Sequence, residues 1–172
     1  MIVKSVNGRS PNIPEDCFVA ENATIVGDVS FGSECSVWFN AVVRGDVHFI
    51  KIGNKVNIQD GAIIHCTYQK HPTTIGNNVS IGHNAIVHGC TVHDNVLIGM
   101  GSIIMDNCVI GSNSIIAAGA VITQNTVVEP GSIYAGVPAK KVKEIDESDF
   151  AGEIERISNN YVMYSGWFKP EN

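Results

Sequence analysis

An aliphatic residue returns every six positions along most of this chain. The step is constant from Ile13 through Val19, Ile25, Phe31 and Val37 to Val43, and again from Val92 to Tyr134. Across the whole run sixteen of 19 gaps are six residues. That period excludes an amphipathic helix, whose apolar stripe recurs every three to four residues, and the two-residue alternation of a long strand. Four places after most of these aliphatics stands a small or β-branched residue, as at Cys17, Ala23, Val29, Cys35, Ala41, Ala62 and Ala85. Asn, Gly and Asp fill the positions between. Each unit therefore reads as a short strand plus a bend with one aliphatic side chain aimed inward. Three units close a triangular coil, and coils stack aliphatic on aliphatic. A β-sandwich of short strands would not hold so strict a register.

Composition agrees with that architecture and narrows the function classes. Aromatics reach only 7%, so the apolar content is mostly Ile, Val and Ala, which favour strands. Hydrophobic residues make up 44% against 16% charged, which implies that self-association buries a further surface. A net charge of -6 and a pI near 5.4 offer no footprint for nucleic acid or anionic membrane. The opening MIVKSVNGRSPNIP lacks a signal-peptide apolar stretch, and no later run is long enough to span a bilayer. Five cysteines, with no CxxC pair, point to a reducing cytoplasm rather than a disulfide scaffold. After Val142 the period changes. Phe150, Ile154, Ile157, Tyr161 and Tyr164 form a helical stripe that starts near Asp146 or Ser148. The expected organisation is an all-β helical prism over 1–142, with a C-terminal α-helix and tail over 143–172 packed on it.

The register breaks three times: nine residues from Val43 to Ile52, eleven from Ile64 to Ile75, and five from Val87 to Val92. Reading the first two as loop insertions and the third as a deletion puts Val43, Ile64 and Val87 on one face of successive coils. Arg44, His65 and His88, one place later, form an outward column with rungs about 4.8 Å apart. His65 thus pairs with His88 and not with His83, although His83 is 18 residues away. Ile58 and Ile81 share a second face, so Asp60 and His83 stack at its corner. Two imidazoles one rung apart make half a zinc site. His83 converges with the pair of an adjacent subunit more readily than with that of its own chain. Three His and an open fourth position match catalytic zinc. His48, His71 and His93 lack this register, although His71 lies close enough in sequence to approach the cleft.

The units resemble the hexapeptide repeats of left-handed parallel β-helices, and AGVPAKKV at 135–142 resembles the exit of many such helices. The left hand is implied by that resemblance; the general preference for right-handed crossovers argues the other way. VVRGD (42–46), NIQDGAIIHC (57–66), IGHNAIVHGCTV (81–92) and LIGMGSII (97–104) resemble the γ-carbonic anhydrases and their bacterial relatives over nearly the whole chain. The resemblance implies a homotrimer and a zinc ion (Fe2+ or Co2+ being possible occupants of the same imidazoles) held by His65 and His88 of one subunit and His83 of the next. It implies reversible hydration of CO2 to bicarbonate by a metal-bound hydroxide that Gln59 orients. Arg44 and Asp46 would make ion pairs across the interface, supported by Asp60. Asn57 would lie on the CO2 side, and Tyr161 would line the cleft. Arg44 and Asp46 read equally well as structural, and Cys66 and Cys90 as packing residues.

The sequence departs from the best-studied family type at the proton-export step. Val47 stands where that type has a glutamate after the RGD-like segment, and the loop CTYQKHPTT carries no carboxylate. Metal binding is therefore the firmer expectation, and anhydrase (lyase) activity the looser one. The alternatives are a hexapeptide acyltransferase, an acyl-CoA thioesterase-like enzyme, and a metal-binding trimer without anhydrase activity.

Overall fold

The computed structural model describes residues 1–145 and 147–168, excluding the side chains of 147–151. Most of its strands are two or three residues long, and they pair in parallel as the rungs of a three-faced solenoid of about seven turns. On the first face Val43, Ile64, Val87, Ile104 and Ile122 align, and on the second Ile52, Ile75, Val92, Ile110 and Val128. The third face aligns Val19, Val37, Ile58, Ile81, Ile98, Ile116 and Tyr134. These are the six-residue positions of the sequence. All are shielded in the core except half-buried Val19, because each inward aliphatic is covered by its neighbours one rung above and below.

The bends explain the Asn-rich spacers. Asn40, Asn78, Asn84, Asn95, Asn107, Asn113 and Asn125 all have positive φ, a conformation that Asn tolerates better than other side-chain-bearing residues. Their amides stack as well. Asn78 donates to Asn95 at 3.1 Å, Asn95 to Asn113 at 3.2 Å, and Asn107 to Asn125 at 2.9 Å. Each bend is thus tied to the next.

The first insertion differs from the expected loop. Its extra residues stay within one long strand, Val42–Ile52, which turns the corner from the first face to the second as a bulge. The cause is a close backbone approach: a Cβ on Gly27 would lie 2.4 Å from the Gly45 carbonyl oxygen. The neighbouring coil can pass only because both positions are glycine, and the surplus is pushed outward at residues 46–49. The second insertion is a loop, closed by an antiparallel bridge between Thr67 and His71.

At the C-terminal end Ser132–Gly136 turns through a cis Val137–Pro138 bond into Ala139–Glu144, which pairs antiparallel. The helix Glu147–Gly166 follows, with Ile154 and Ser158 buried. It lies against the third face at Ser36–Val37 and Ser80–Ile81, and Tyr161 meets Trp38 edge-on at 5.4 Å. Asp146 and the side chains of Ser148 and Phe150, which the sequence places at the helix start, lie outside the described residues.

Removing one link from an inward row should cost far more than trimming the outer surface. Ile98→Ala leaves a void between fully buried neighbours and should cost about 2–5 kcal/mol in urea unfolding, whereas exposed Val127→Ala should stay within about 0.5 kcal/mol.

Candidate functional site

The first face carries a second, outward column one residue beyond its inward row. Within it His65 and His88 are direct ladder partners, 23 residues apart in sequence. His65 Nδ1 lies 3.1 Å from His88 Nε2. The far nitrogen of each ring meets a carboxylate: Asp46 Oδ1 at 3.0 Å from His65 Nε2, and Asp106 Oδ1 at 2.6 Å from His88 Nδ1. Both carboxylates are themselves held. Arg44 donates to Asp46 Oδ2 at 2.6 Å, and the Thr67 hydroxyl donates to Asp106 Oδ2 at 2.8 Å. Thr73 donates to the His65 carbonyl and accepts from the Gly89 N–H, bracing the two histidine-bearing rungs.

This arrangement has a consequence for protons. A neutral imidazole has one N–H, and the carboxylate claims it on each ring. The two facing nitrogens are then both lone pairs, which repel unless a proton or a cation lies between them. Two nitrogens bound tetrahedrally to one zinc at about 2.0–2.1 Å would be about 3.3 Å apart, close to the spacing found.

His83 sits elsewhere, at the corner between the third and first faces. Its Nδ1 meets Asp60 Oδ2 at 2.8 Å, the same imidazole–carboxylate pairing a third time. Backbone hydrogen bonds from Gly61 to Phe39, Asn84 to Asp60 and Gly101 to His83 stack Phe39, Asp60, His83 and Met100 as one corner column. Among the described residues no group of three His, Cys, Asp or Glu within one chain can hold a metal ion. Under the helix, Gln59 donates to Asn57 Oδ1 at 3.0 Å and Asn57 donates to Ser80 at 2.7 Å, all three buried. Arg44 and Asp46 pair with each other inside the chain, and Tyr161 stacks with Trp38 and, at 5.5 Å, with Tyr164.

Comparison with known proteins places this chain in a family. The chain is 49% identical to a carbonic anhydrase of Geobacillus kaustophilus, covering 94% of this chain and 88% of that one. It is 54% identical to a probable carbonic anhydrase of Methanocaldococcus jannaschii, covering 88% and 92%. The chain belongs to the γ-carbonic anhydrase-like hexapeptide-repeat family. The model of bacterial transferase hexapeptide repeats matches residues 72–104 and 89–124. Among solved structures, a hexapeptide transferase family protein of Anaplasma phagocytophilum superposes with a TM-score of 0.92 at 37% identity, covering 98% of each chain. A Bacillus cereus chain described as an acetyltransferase superposes at 0.93 with 36% identity, covering 97% of this chain and 96% of that one.

Within this γ-carbonic anhydrase-like chain the electrostatics follow from the pairings. Burial alone would raise Asp46 and Asp106. Hydrogen bonds from Arg44 and His65 to the first, and from His88 and Thr67 to the second, outweigh it and hold both carboxyls below the usual range. Burial, helped by the Arg44 charge, lowers His65 and keeps its ring neutral, the state a metal ligand needs. Burial raises the Tyr161 phenol, with the Asp60 charge adding to it.

The sequence pattern alone assigns Asp106 no role. The signal was present, for Asp106 follows His88 by 18 residues, one full coil. His71 borders a polar cavity of about 170 Å³ with Thr67, Lys70 and Asp106. His48 accepts the Phe49 N–H, and His93 is exposed on the surface.

The lowered carboxyl of Asp46 predicts a pH signature in metal-free protein. A depressed folded pKa contributes stability that is present above the unfolded value, about 3.9, and is lost as pH falls through the folded pKa. Asp46→Asn should therefore be less stable than the parent at pH 6, with the gap in urea midpoint closing as pH approaches 3.

Proposed function

We propose that this protein is a zinc-dependent carbonic anhydrase of the γ type, assembling as a homotrimer and hydrating CO2 reversibly to bicarbonate. His65 and His88 of one subunit and His83 of the next would hold the metal. The observation that carries this reading is the pair of facing imidazole nitrogens 3.1 Å apart, each ring held by a carboxylate behind it. His83 has the same backing and lies on the same coil as His88, but at a corner its own chain's pair cannot reach.

The uncovered face supports assembly. Val42, Ile63, Ile86, Ile103 and Val121 form an outward apolar row beside the His column, and Ile63 is 41% exposed. The helix covers the third face, and the second presents Lys51, Thr74 and Thr91 at the height of the His column before continuing as Val109 and Val127. An apolar face next to an incomplete ligand set suits a second copy that supplies a corner. No described helix is long and apolar enough to cross a membrane.

The three imidazoles would hold the zinc, which would supply Lewis-acid activation of water near neutral pH. The chain's own residues do the rest. Asp46, Asp106 and Asp60 fix the tautomer of each imidazole. Asn57 grips the Gln59 amide nitrogen and leaves the Gln59 carbonyl free to accept a hydrogen bond from a reacting hydroxyl. Arg44 keeps Asp46 ionised, and Tyr161 closes the helix side. The loop from Cys66 to Thr74 holds no carboxylate to export the proton. Fe2+ or Co2+ suits the same donors.

A second reading, acyl transfer from a coenzyme A thioester, draws on the His83–Asp60 pair, which is arranged as a general base with its orienting acid, and on the transferase descriptions of the two superposable structures. Metal analysis separates the two, since that chemistry needs a single histidine.

His83→Ala should lose zinc as completely as His65→Ala, while Asp106→Asn should weaken zinc binding about 10–100-fold, both read by competition with a chromogenic chelator. An unchanged affinity in His83→Ala would sink the shared site. In stopped-flow CO2 hydration, zinc-loaded protein should speed up as an imidazole buffer is raised at fixed pH, because the buffer takes the proton that no side chain is placed to carry. Acyl transfer in the absence of hydration would favour the second reading.

A further inference from the structure

The cysteines are not scattered. Phe18 and Ser36 are ladder partners, and the Phe18 N–H donates to the Cys35 carbonyl at 2.9 Å, so Cys17 and Cys35 occupy equivalent positions one rung apart. Their thiols lie alike, Cys17 Sγ 3.2 Å from the Gly32 carbonyl and Cys35 Sγ 3.1 Å from that of Gly53, the glycine one rung on. Neighbouring rungs are about 4.8 Å apart, inside the window of about 4.4–6.8 Å between Cα atoms that a disulfide requires. Cys90 and Cys108 form a second stack of the same kind, since Thr91 and Val109 are partners and the Thr91 N–H donates to Cys108. The two stacks differ in access. Cys17 belongs to the terminal rung of the third face and is partly exposed, whereas Cys90 and Cys108 are sealed in mid-solenoid.

We propose that Cys17 and Cys35 are a peroxide-reactive pair whose oxidation to a disulfide clamps the terminal rung of the solenoid to the next. The Cys17 thiolate attacks the O–O bond of a hydroperoxide, forming a sulfenic acid, and the departing alkoxide or hydroxide takes up the proton that Cys17 lost. The Cys35 sulfur then displaces the sulfenic hydroxyl, which leaves as water with the Cys35 proton. Two thiols are oxidised by two electrons and one peroxide is reduced. The neighbouring Cys35 thiol holds Cys17 below the usual thiol range against opposing burial and the Asp16 charge, and Cys35 itself is pushed up. Nucleophile and resolving partner are thereby distinguished. Burial instead pushes Cys90 and Cys108 up, and they serve as the internal control.

The test is mild hydrogen peroxide treatment of the full chain, alkylation of remaining thiols under denaturation, and unreduced peptide mass mapping. The expected result is a Cys17–Cys35 cross-link, reversed by dithiothreitol, with Cys66, Cys90 and Cys108 alkylated. Hydrogen exchange at the Phe18 and Ala20 amides should slow about tenfold in the oxidised form. Cys35→Ala, which restores the alanine found at equivalent inward positions such as Ala23 and Ala41, should leave Cys17 as a sulfenic acid trapped by a 1,3-dione. Recovery of Cys17 as unmodified thiol or as sulfinic acid without a cross-link, or a Cys90–Cys108 bond forming first, would overturn the proposal. Unchanged exchange at Phe18 would overturn the clamp.

Discussion

Everything in this molecule depends on one aliphatic side chain landing on another of the same kind, rung after rung. A strand of two residues has no stability of its own. It persists here because the inward Ile or Val above and below it exclude water from both sides and the backbone ladder is completed on both edges. Ile81 illustrates the arrangement, aligned with Ile58 beneath and Ile98 above and fully shielded. Slipping any rung by one residue would turn its aliphatic to solvent and its polar neighbour inward, so the register is fixed wherever the row is continuous.

That constraint turns a one-dimensional repeat into a set of measured heights. Outward residues need no packing reason to sit where they do; they inherit the rung spacing. His65 and His88 meet at 3.1 Å because Ile64 and Val87 stack, not because the imidazoles attract. The chain spends its irregularities at corners, where surplus residues do not disturb the rows. The bulge at 46–49 delivers Asp46 behind His65, and the loop closed by Thr67 and His71 delivers the hydroxyl that steadies Asp106 behind His88. Each of the three imidazoles is backed by a carboxylate, which fixes the orientation of its ring.

How much of this could be read from the sequence follows from the same physics. The period of six, the coil of three units and the pairing of His65 with His88 rather than His83 are consequences of counting inward positions. The stacking of Asp60 with His83 is equally countable, and the helical stripe through Ile154 and Ile157 announces itself by spacing. The first insertion was less legible, because nothing local says that Gly27 and Gly45 approach too closely for a loop to leave the strand there. Asp106 was visible only to a reader who carried the count one coil beyond the last histidine. The antiparallel return of Ala139–Glu144 had no periodic signal at all, and the unequal access of the two cysteine stacks required knowing which rung is terminal.

The proposed sharing of the metal centre between subunits can be read out by complementation. Chains carrying His83→Ala keep the face pair, and chains carrying both His65→Ala and His88→Ala keep the corner ligand. In any closed trimer that contains both kinds, one interface has an intact face pair meeting an intact His83, so co-expressed mixed trimers should bind one zinc each while either homotrimer binds none. Zinc retained at full stoichiometry by the His83→Ala homotrimer, or absent from mixed trimers that assemble normally, would contradict the shared centre.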